Sequence, residues 1–576
     1  MGSIINLSST PLLIGFGKSI INAFVPDIGL MGYGQPKNIA KSQASPLHTR
    51  TMLIKNTQGH FFAYINLELA IISSIMKKKI LLEINQQLPH LELKSQSIML
   101  TAQHTHSAPG GLDEYPFYNF TIPNFRPNLL NNIAKAVVES LTEALQQLLP
   151  AEIDYHQYQI LGDVPIAFNR SIDSYNKNPE NQSLTFEERH QAICRNMQAI
   201  YIYSDKKLKG FINFFGVHAT SIGNTNTSIH HDNKGVASLL FENSHPNTTA
   251  IFAQRAAGDV SPNYIWDKDL KKTRGPFKDE IKCAEDNGRM HFEENQKCLE
   301  YPHQKINCSS SPFFPAVKSI EKFIDMSQLV SPAAHGVSFF AGTLEGAGAP
   351  KFLIPILSMI ARSIRWYRLT FNSKKHLTFY QAQDPKDVLL DHRTGEFLGI
   401  PLKVWKKIPF IPDPTVNYFI KAAKNNSLET LPWVPSVISI QLLQINQILI
   451  VGVPGEITTT AAKRIELSLK EESLKLGLTN HQNQLQIIIS SYANSYMGYI
   501  TTPEEYENQS YEGGHTVYGK NTLPAIIKAF NELFHQLQQN ENDSNEKVMK
   551  IDRDQKDQSP HPFIFPEKEL ARRTTL

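Results

Sequence analysis

Residues 97–111 read SIMLTAQHTHSAPGG. A short apolar run ends at Ala102 and gives way at once to His104, His106 and a Ser/Pro/Gly turn. The same construction recurs along the chain. FINFFGVH (211–218) opens into ATSIGNTNTS, TAIFAQ (249–254) into RAAGDVSPN, QILIVGV (447–453) into PGEITTT, and LQIIISSY (485–492) into ANSYMGYITTPEEY. The runs are continuous rather than alternating, which predicts strands buried on both faces. Helical periods lie between them. One covers 128–149, with Leu130, Ile133, Ala134, Val137, Leu141, Leu145 and Leu148 on one face and Pro150 as its stop. Another begins with Thr522 as N-cap and Pro524 in its first turn, and aligns Ile526, Phe530, Leu533, Phe534 and Leu537. The chain therefore reads as α/β. In such folds the chemistry sits in loops beyond the carboxyl ends of strands.

Composition narrows the function classes. The chain has 576 residues, 41% hydrophobic, with 57 Lys plus Arg against 54 Asp plus Glu. A net charge of +3 leaves no global footprint for nucleic acid. Cys194, Cys283, Cys298 and Cys308 form no CxxC pair, so a thiolate zinc site is not expected; one disulfide or four free thiols both fit. No segment reaches about 18 consecutive apolar residues, and the N-terminus has no basic region before its apolar run, which leaves localisation and export route open. Two polar stretches, 273–316 and 392–427, read as surface insertions or lids. Residues 540–576 read as a charged, mobile tail.

Several side chains could do chemistry. His104 and His106, at i and i+2, would share one face of an extended strand end, a common way to present imidazoles to a metal, although such a pair alone also fits a surface site. His218 ends a second buried run, and the polar residues after it, His230 to Asn233 among them, point to a wet cleft. Glu456 follows a third strand, where a carboxylate must be solvated, paired or ligating. Ser261 sits in a tight GDVSPN turn and reads by itself as a turn residue. Together, histidines and a glutamate offer a zinc site, and a serine with an arginine completes a hydrolytic set.

The motifs also occur in a telling order: AQHTHSAPGG, NRSIDSYNKNP (169–179), FFGVHATSI, HHDNKGVAS (230–238), FAQRAAGDVSPN, SPAAHGVSFFAGTLEGAG (331–348), VPGEITT, ANSYMGYITTPEEY and SYEGGHTVYG (510–519). With GFGKSIINAFVPDIGLMGYG (15–34) and HTR (48–50), they make the chain resemble the neutral/alkaline ceramidase family from about Ile14 to Phe534. The resemblance implies a zinc-dependent amidase that cleaves ceramide to sphingosine and a fatty acid. One zinc per chain would be held by His104, His218, Glu456 and Tyr499. Ser261 would be the catalytic serine, His106 a proton-handling neighbour, and Arg170 and Tyr511 contacts to the amide or oxyanion. Attack would come from activated water or from Ser261. A family aspartate appears here as Glu68.

The expected architecture is one large catalytic domain, 1–539, with a mixed sheet core, surrounding helices and no C-terminal immunoglobulin-like domain. Ceramide is the expected partner, and the apolar and basic residues of 352–367 point to a peripheral membrane surface. The oligomeric state is left open. Two other readings stay open: an amidase of the same fold for another N-acyl amide, and a lipid-binding protein without catalysis.

Overall fold

The structure is a computed structural model that describes residues 12–539, apart from 120–121, 123–124, 302–303, 308–316, 347, 410–413, 425–427, 429–431 and 479–483. The tail at 540–576 and Cys308 lie outside the described residues. Three mixed sheets form the frame. In the first, β4 (Ile98–Ala102), β3 (Phe61–Leu67), β2 (Leu47–Lys55) and β1 (Leu13–Ile21) lie side by side, with Leu149–Pro150 at the edge. In the second, the order is β9 (Thr249–Ala253), β8 (Lys207–Phe214), β7 (Asn196–Ser204) and β5 (Glu152–Gln159), with Gln304–Asn307 at the edge. The third runs β11 (Val317–Asp325), β12 (Val437–Ile445), β13 (Ile448–Gly452), β15 (Gln486–Ser490). Two-residue strands complete the frame: β6 (Phe168–Asn169) pairs with β10 (Val260–Ser261), and β14 (Glu456–Ile457) with β16 (Tyr499–Ile500).

Each large sheet is antiparallel except for one parallel pair: β3 with β4, β8 with β9, β13 with β15. The five apolar runs read from the sequence are strands of these pairs, and four of the five are buried at every position. The three sheets face one another across a shared core. Phe16, Met52, Tyr64 and Met99 come from the first, Tyr155, Ile212, Phe214 and Ile251 from the second, and Leu443, Ile450 and Ile488 from the third. Side chains of both faces are thus enclosed, which is why these strands lack alternation.

Helices cover the outside: α1 (Ser74–Gln87), α2 (Pro127–Gln146), α3 (Asp232–Ser244), α4 (Glu280–Glu300), α5 (Leu353–Phe371), α6 (Pro414–Lys424), α7 (Thr459–Lys475) and α8 (Thr522–Gln539). The predicted 128–149 helix stops three residues early because Leu149 and Pro150 join the edge of β1. In α8 the expected apolar face is buried, but Thr522 lies inside the helix and its hydroxyl donates to the Gly519 carbonyl, so it is not the N-cap.

The stretch 273–316 is not an irregular insertion where it is described. Most of it is α4, whose inner face is Cys283, Ala284, Asn287, Gly288, His291 and Asn295 packed beside α3. Such small and polar inward residues hide a helical period. The stretch 392–427 likewise carries its own apolar cluster of Trp405, Phe419 and Ile420 against Trp433. Cys194, Cys283 and Cys298 are free thiols.

β1 and α2 touch backbone to backbone at Gly15 and Gly17. A Cβ at Gly17 would overlap the Ser140 carbonyl oxygen and lie 2.6 Å from Ala144 N. Gly17→Ala must push helix from strand, and we expect it to cost about 2–3 kcal/mol, read as a lower urea midpoint at unchanged slope. An unchanged midpoint would show that the close approach is not required.

Candidate active site

The loops after the three parallel pairs converge. His104 follows β4, His218 follows β8, Ser261 ends the segment after β9, Glu456 follows β13, and Tyr499 lies beyond β15. Parallel pairing of β14 with β16 sets Glu456 directly beside Tyr499. All five are at least 97% buried.

His104 does not sit on an extended strand end. Its backbone has φ +67°, so the i, i+2 reading gave the right neighbours by the wrong geometry. The turn is held by His104 N–H donating to the Leu69 carbonyl (2.9 Å). The His104 Nδ1 is 2.6 Å from the Ala70 carbonyl oxygen, so Nδ1 carries the proton and Nε2 presents a bare lone pair. His218 repeats the arrangement: Nδ1 lies 2.5 Å from the Ala257 carbonyl and 3.2 Å from that of Val260. Its Nε2 is 2.9 Å from Glu456 Oε2, yet no protein group meets that nitrogen in hydrogen-bonding geometry. His104 Nε2 is 3.4 Å from the same oxygen. His106 Nε2 is 3.0 Å from His104 Nε2, so of that pair only His106 can carry the proton; its Nδ1 meets no protein partner.

Burial opposes the charge on Glu456, but His104 and His218 beside it hold the carboxyl well below the usual range. Burial lowers the imidazoles of His106 and His218, keeping both neutral. Two imidazoles fixed through Nδ1 by backbone carbonyls, with Nε2 facing one ionised carboxylate, offer donors that suit zinc, with His106 as a third imidazole of the cluster. The residues fit the metal expected from the sequence.

Arg170 is brought in by β6, whose Asn169 pairs with Val260. Its guanidinium donates to Glu512 (3.0 Å), Glu345 (3.0 Å), the Gly258 carbonyl (2.9 Å) and the Tyr499 hydroxyl (2.8 Å), four of its five N–H groups. Arg170 thus organises Tyr499 first, with one N–H left for any other contact. The Tyr511 ring stands 5.6 Å from that of Tyr499, with the Arg170 charge 5.7 Å from its centre.

Ser261 Oγ donates to Glu345 Oε1 in a short bond and accepts from Asn263 N (2.9 Å). Asn263 and Thr220 donate to the same Glu345 oxygen. Burial works against the Glu345 charge, but Arg170, His218 and the hydrogen bonds from Ser261 and Asn263 together hold the carboxyl below its usual range. Sequence reading missed Glu345, although it stands in the GTLEGAG motif; nothing in its spacing ties it to a serine 84 residues away. It also missed Tyr492 and Tyr496, whose hydroxyls reach the two oxygens of Glu456. The expected wet cleft around 230–233 is instead buried.

Behind Tyr499 lies His515, its ring 5.3 Å away, with His335 4.8 Å further on and His335 Nδ1 2.7 Å from His392 Nε2. Burial drops His515 to about 4 and His392 to about 3, so this wall is neutral.

The chain has relatives among known proteins. The profile described as neutral/alkaline non-lysosomal ceramidase, N-terminal, matches residues 12–408 and 419–528. The neutral ceramidase of Pseudomonas aeruginosa is 28% identical over 542 residues, covering 90% of this chain and 71% of that protein. Neutral ceramidase B of Dictyostelium discoideum is also 28% identical, with 90% and 71% covered. A solved ceramidase complexed with C2 superposes with a TM-score of 0.71 at 27% identity, covering 92% of this chain and 76% of that one. The crystal structure of the Pseudomonas aeruginosa neutral ceramidase gives 0.69 at 26%, with 92% and 75% covered.

Proposed function

The chain belongs to the neutral/alkaline non-lysosomal ceramidase family, and from that premise we propose that it hydrolyses the N-acyl bond of ceramide to sphingosine and a fatty acid, with zinc held by His104, His218, Glu456 and Tyr499. One observation carries the reading: two buried imidazoles locked through Nδ1 turn bare Nε2 atoms toward the ionised Glu456. Bound there, zinc would act as a Lewis acid toward the amide carbonyl and supply a nucleophile at neutral pH.

The chain's own groups do the rest. Glu345 fixes the Ser261 hydroxyl, Arg170 aims the Tyr499 phenol, and Tyr511 stands beside Tyr499, where its hydroxyl would contact the amide or oxyanion. His106 holds a proton at Nε2 for the departing amine. The C–N bond breaks as the acyl carbon gains oxygen and the nitrogen gains that proton. His106 takes up in its place the proton that the attacking hydroxyl or water gives up, so the imidazole ends as neutral as it began. Because these residues range from 104 to 511, we take 1–539 as one catalytic unit.

The test is incubation with ceramide labelled in its acyl chain, alongside N-acyl amino acids of equal chain length. Release of free fatty acid and sphingosine from ceramide alone is the expected result. Cleavage of the amino-acid amides in preference would move the substrate to another N-acyl class.

We assign α5 to the membrane side. The loop that leaves Glu345, the partner of Ser261, leads into it. Phe352, Met359, Trp366 and Phe371 are 62–71% exposed. Its arginines are not free for lipid phosphates: Arg362 pairs with Asp387, Arg365 with Asp384, Arg368 with Glu396. The contact is therefore chiefly apolar rather than apolar and basic together. Met359→Glu with Trp366→Glu should reduce co-sedimentation with neutral phosphatidylcholine vesicles severalfold while turnover of detergent-dispersed ceramide is kept. Equal co-sedimentation would make α5 an ordinary surface helix.

A further inference from the structure

We propose that His48, Glu68 and His231 form a second metal site, for a divalent ion of the zinc class, which braces the turn carrying His104 and His106. None of the three belongs to the amide site. They come from the start of β2, the residue after β3 and the residue before α3, and all are buried. Their ligating atoms gather within 4.8 Å of one another.

The geometry points to an ion rather than to hydrogen bonding alone. His48 Nδ1 lies 3.2 Å and His231 Nδ1 3.7 Å from the same Glu68 oxygen, Oε2. The second distance is too long for a hydrogen bond. Two donors sharing one zinc at bonds of about 2.1 Å stand roughly 3.4 Å apart, between these two values. The His48 backbone N–H also donates to Oε2 (2.7 Å) and fixes its position.

The charges allow it. Arg50 binds the other oxygen of Glu68 (2.6 Å) and pairs with Glu242 (2.7 Å), which Lys18 also meets (3.0 Å), so these charges balance and Glu68 Oε2 is left facing the two histidines. Burial opposes the Glu68 charge, yet Arg50 keeps the carboxyl ionised far below its usual range. Burial holds His231 neutral. Its Nδ1 now donates to the Pro46 carbonyl (3.2 Å), and an ion would replace that bond, the ring proton moving to Nε2. Two imidazoles and one carboxylate suit zinc, iron or cobalt, whereas calcium and magnesium favour all-oxygen sets.

The site is wired to the active-site turn. Thr105, between His104 and His106, donates through Oγ1 to the His230 carbonyl (2.8 Å), and His230 N–H donates to the Ser107 carbonyl (3.0 Å). An ion on His231 would thus pin β2, β3 and α3 together at the base of residues 104–107. Arg50, bridging Glu68 and Glu242, is the outer support such sites use.

The test is metal content of the full chain by mass spectrometry after zinc loading and desalting, with cobalt substitution as a spectral check. Two ions per chain are expected in the wild type, one in His231→Ala and one in His218→Ala. Cobalt-loaded His218→Ala should keep a visible d–d band that vanishes in the His218→Ala, His231→Ala double variant, and His48→Ala should repeat the His231→Ala result if the latter folds poorly. A single ion lost with His218→Ala and kept in His231→Ala would overturn the second site. A single ion kept in His218→Ala and lost in His231→Ala would uphold it and overturn the zinc assignment at the amide site instead.

Discussion

Glu456→Gln is expected to lower kcat/KM for ceramide by about 10³-fold or more, and to release the ion at His104 and His218 with it. Several kcal/mol of transition-state stabilisation depend on that ion, and each 1.36 kcal/mol is a decade in rate. The substitution keeps the volume of the side chain. One of Tyr492 and Tyr496 can still donate to the amide oxygen of glutamine and the other can accept from its NH2, so the shell around position 456 has partners and the fold should hold. What is lost is the charge that His104 and His218 face. The amide would also offer His218 Nε2 an N–H where it now meets a carboxylate oxygen at 2.9 Å. Circular dichroism unchanged, zinc reduced and turnover reduced is the predicted set. Full turnover with a retained ion would remove Glu456 from the ligands.

Ser261→Ala and Glu345→Gln are expected to be the next largest, each lowering kcat by about 10²-fold or more with KM little changed. The serine hydroxyl is committed to Glu345, and Glu345 also takes Asn263, Thr220 and Arg170. The neutral amide in Glu345→Gln weakens the acceptor for Ser261 and loosens Arg170, although Glu512 still holds that arginine. Groups acting as one unit are not additive, so the double variant should fall little below Ser261→Ala. Additive losses would mean that Glu345 acts through Arg170 instead. Near-normal turnover of Ser261→Ala beside an inactive His218→Ala would reduce the serine to a positioning role and leave attack to water.

Much of the frame was legible because strands buried on both faces write themselves as unbroken apolar runs, and five such runs named the strands that carry the site. The family motifs named residues that the bare pattern could not. Tyr499 reads as ordinary packing until its pairing with Glu456 and its bond from Arg170 are seen. Other features left no local trace. Residues 280–300 turn Asn, Gly, His and small residues inward, so their helix lacks an apolar stripe. Glu345 and Ser261 meet only through the fold. His104 adopts a left-handed backbone that no i, i+2 rule foresees. The charged look of 230–233 suggested solvent, whereas those side chains are consumed inside: Asp232 accepts from Ser221 and Ile222 N–H, and Asn233 donates to the His218 carbonyl.

The most direct measurement is sphingosine release from ceramide by the chain stripped of metal with a chelator and then reloaded. The account predicts no release after stripping and recovery on adding one to two equivalents of zinc, with the recovery absent in Glu456→Gln. Undiminished release by a chain shown to hold no metal would contradict it.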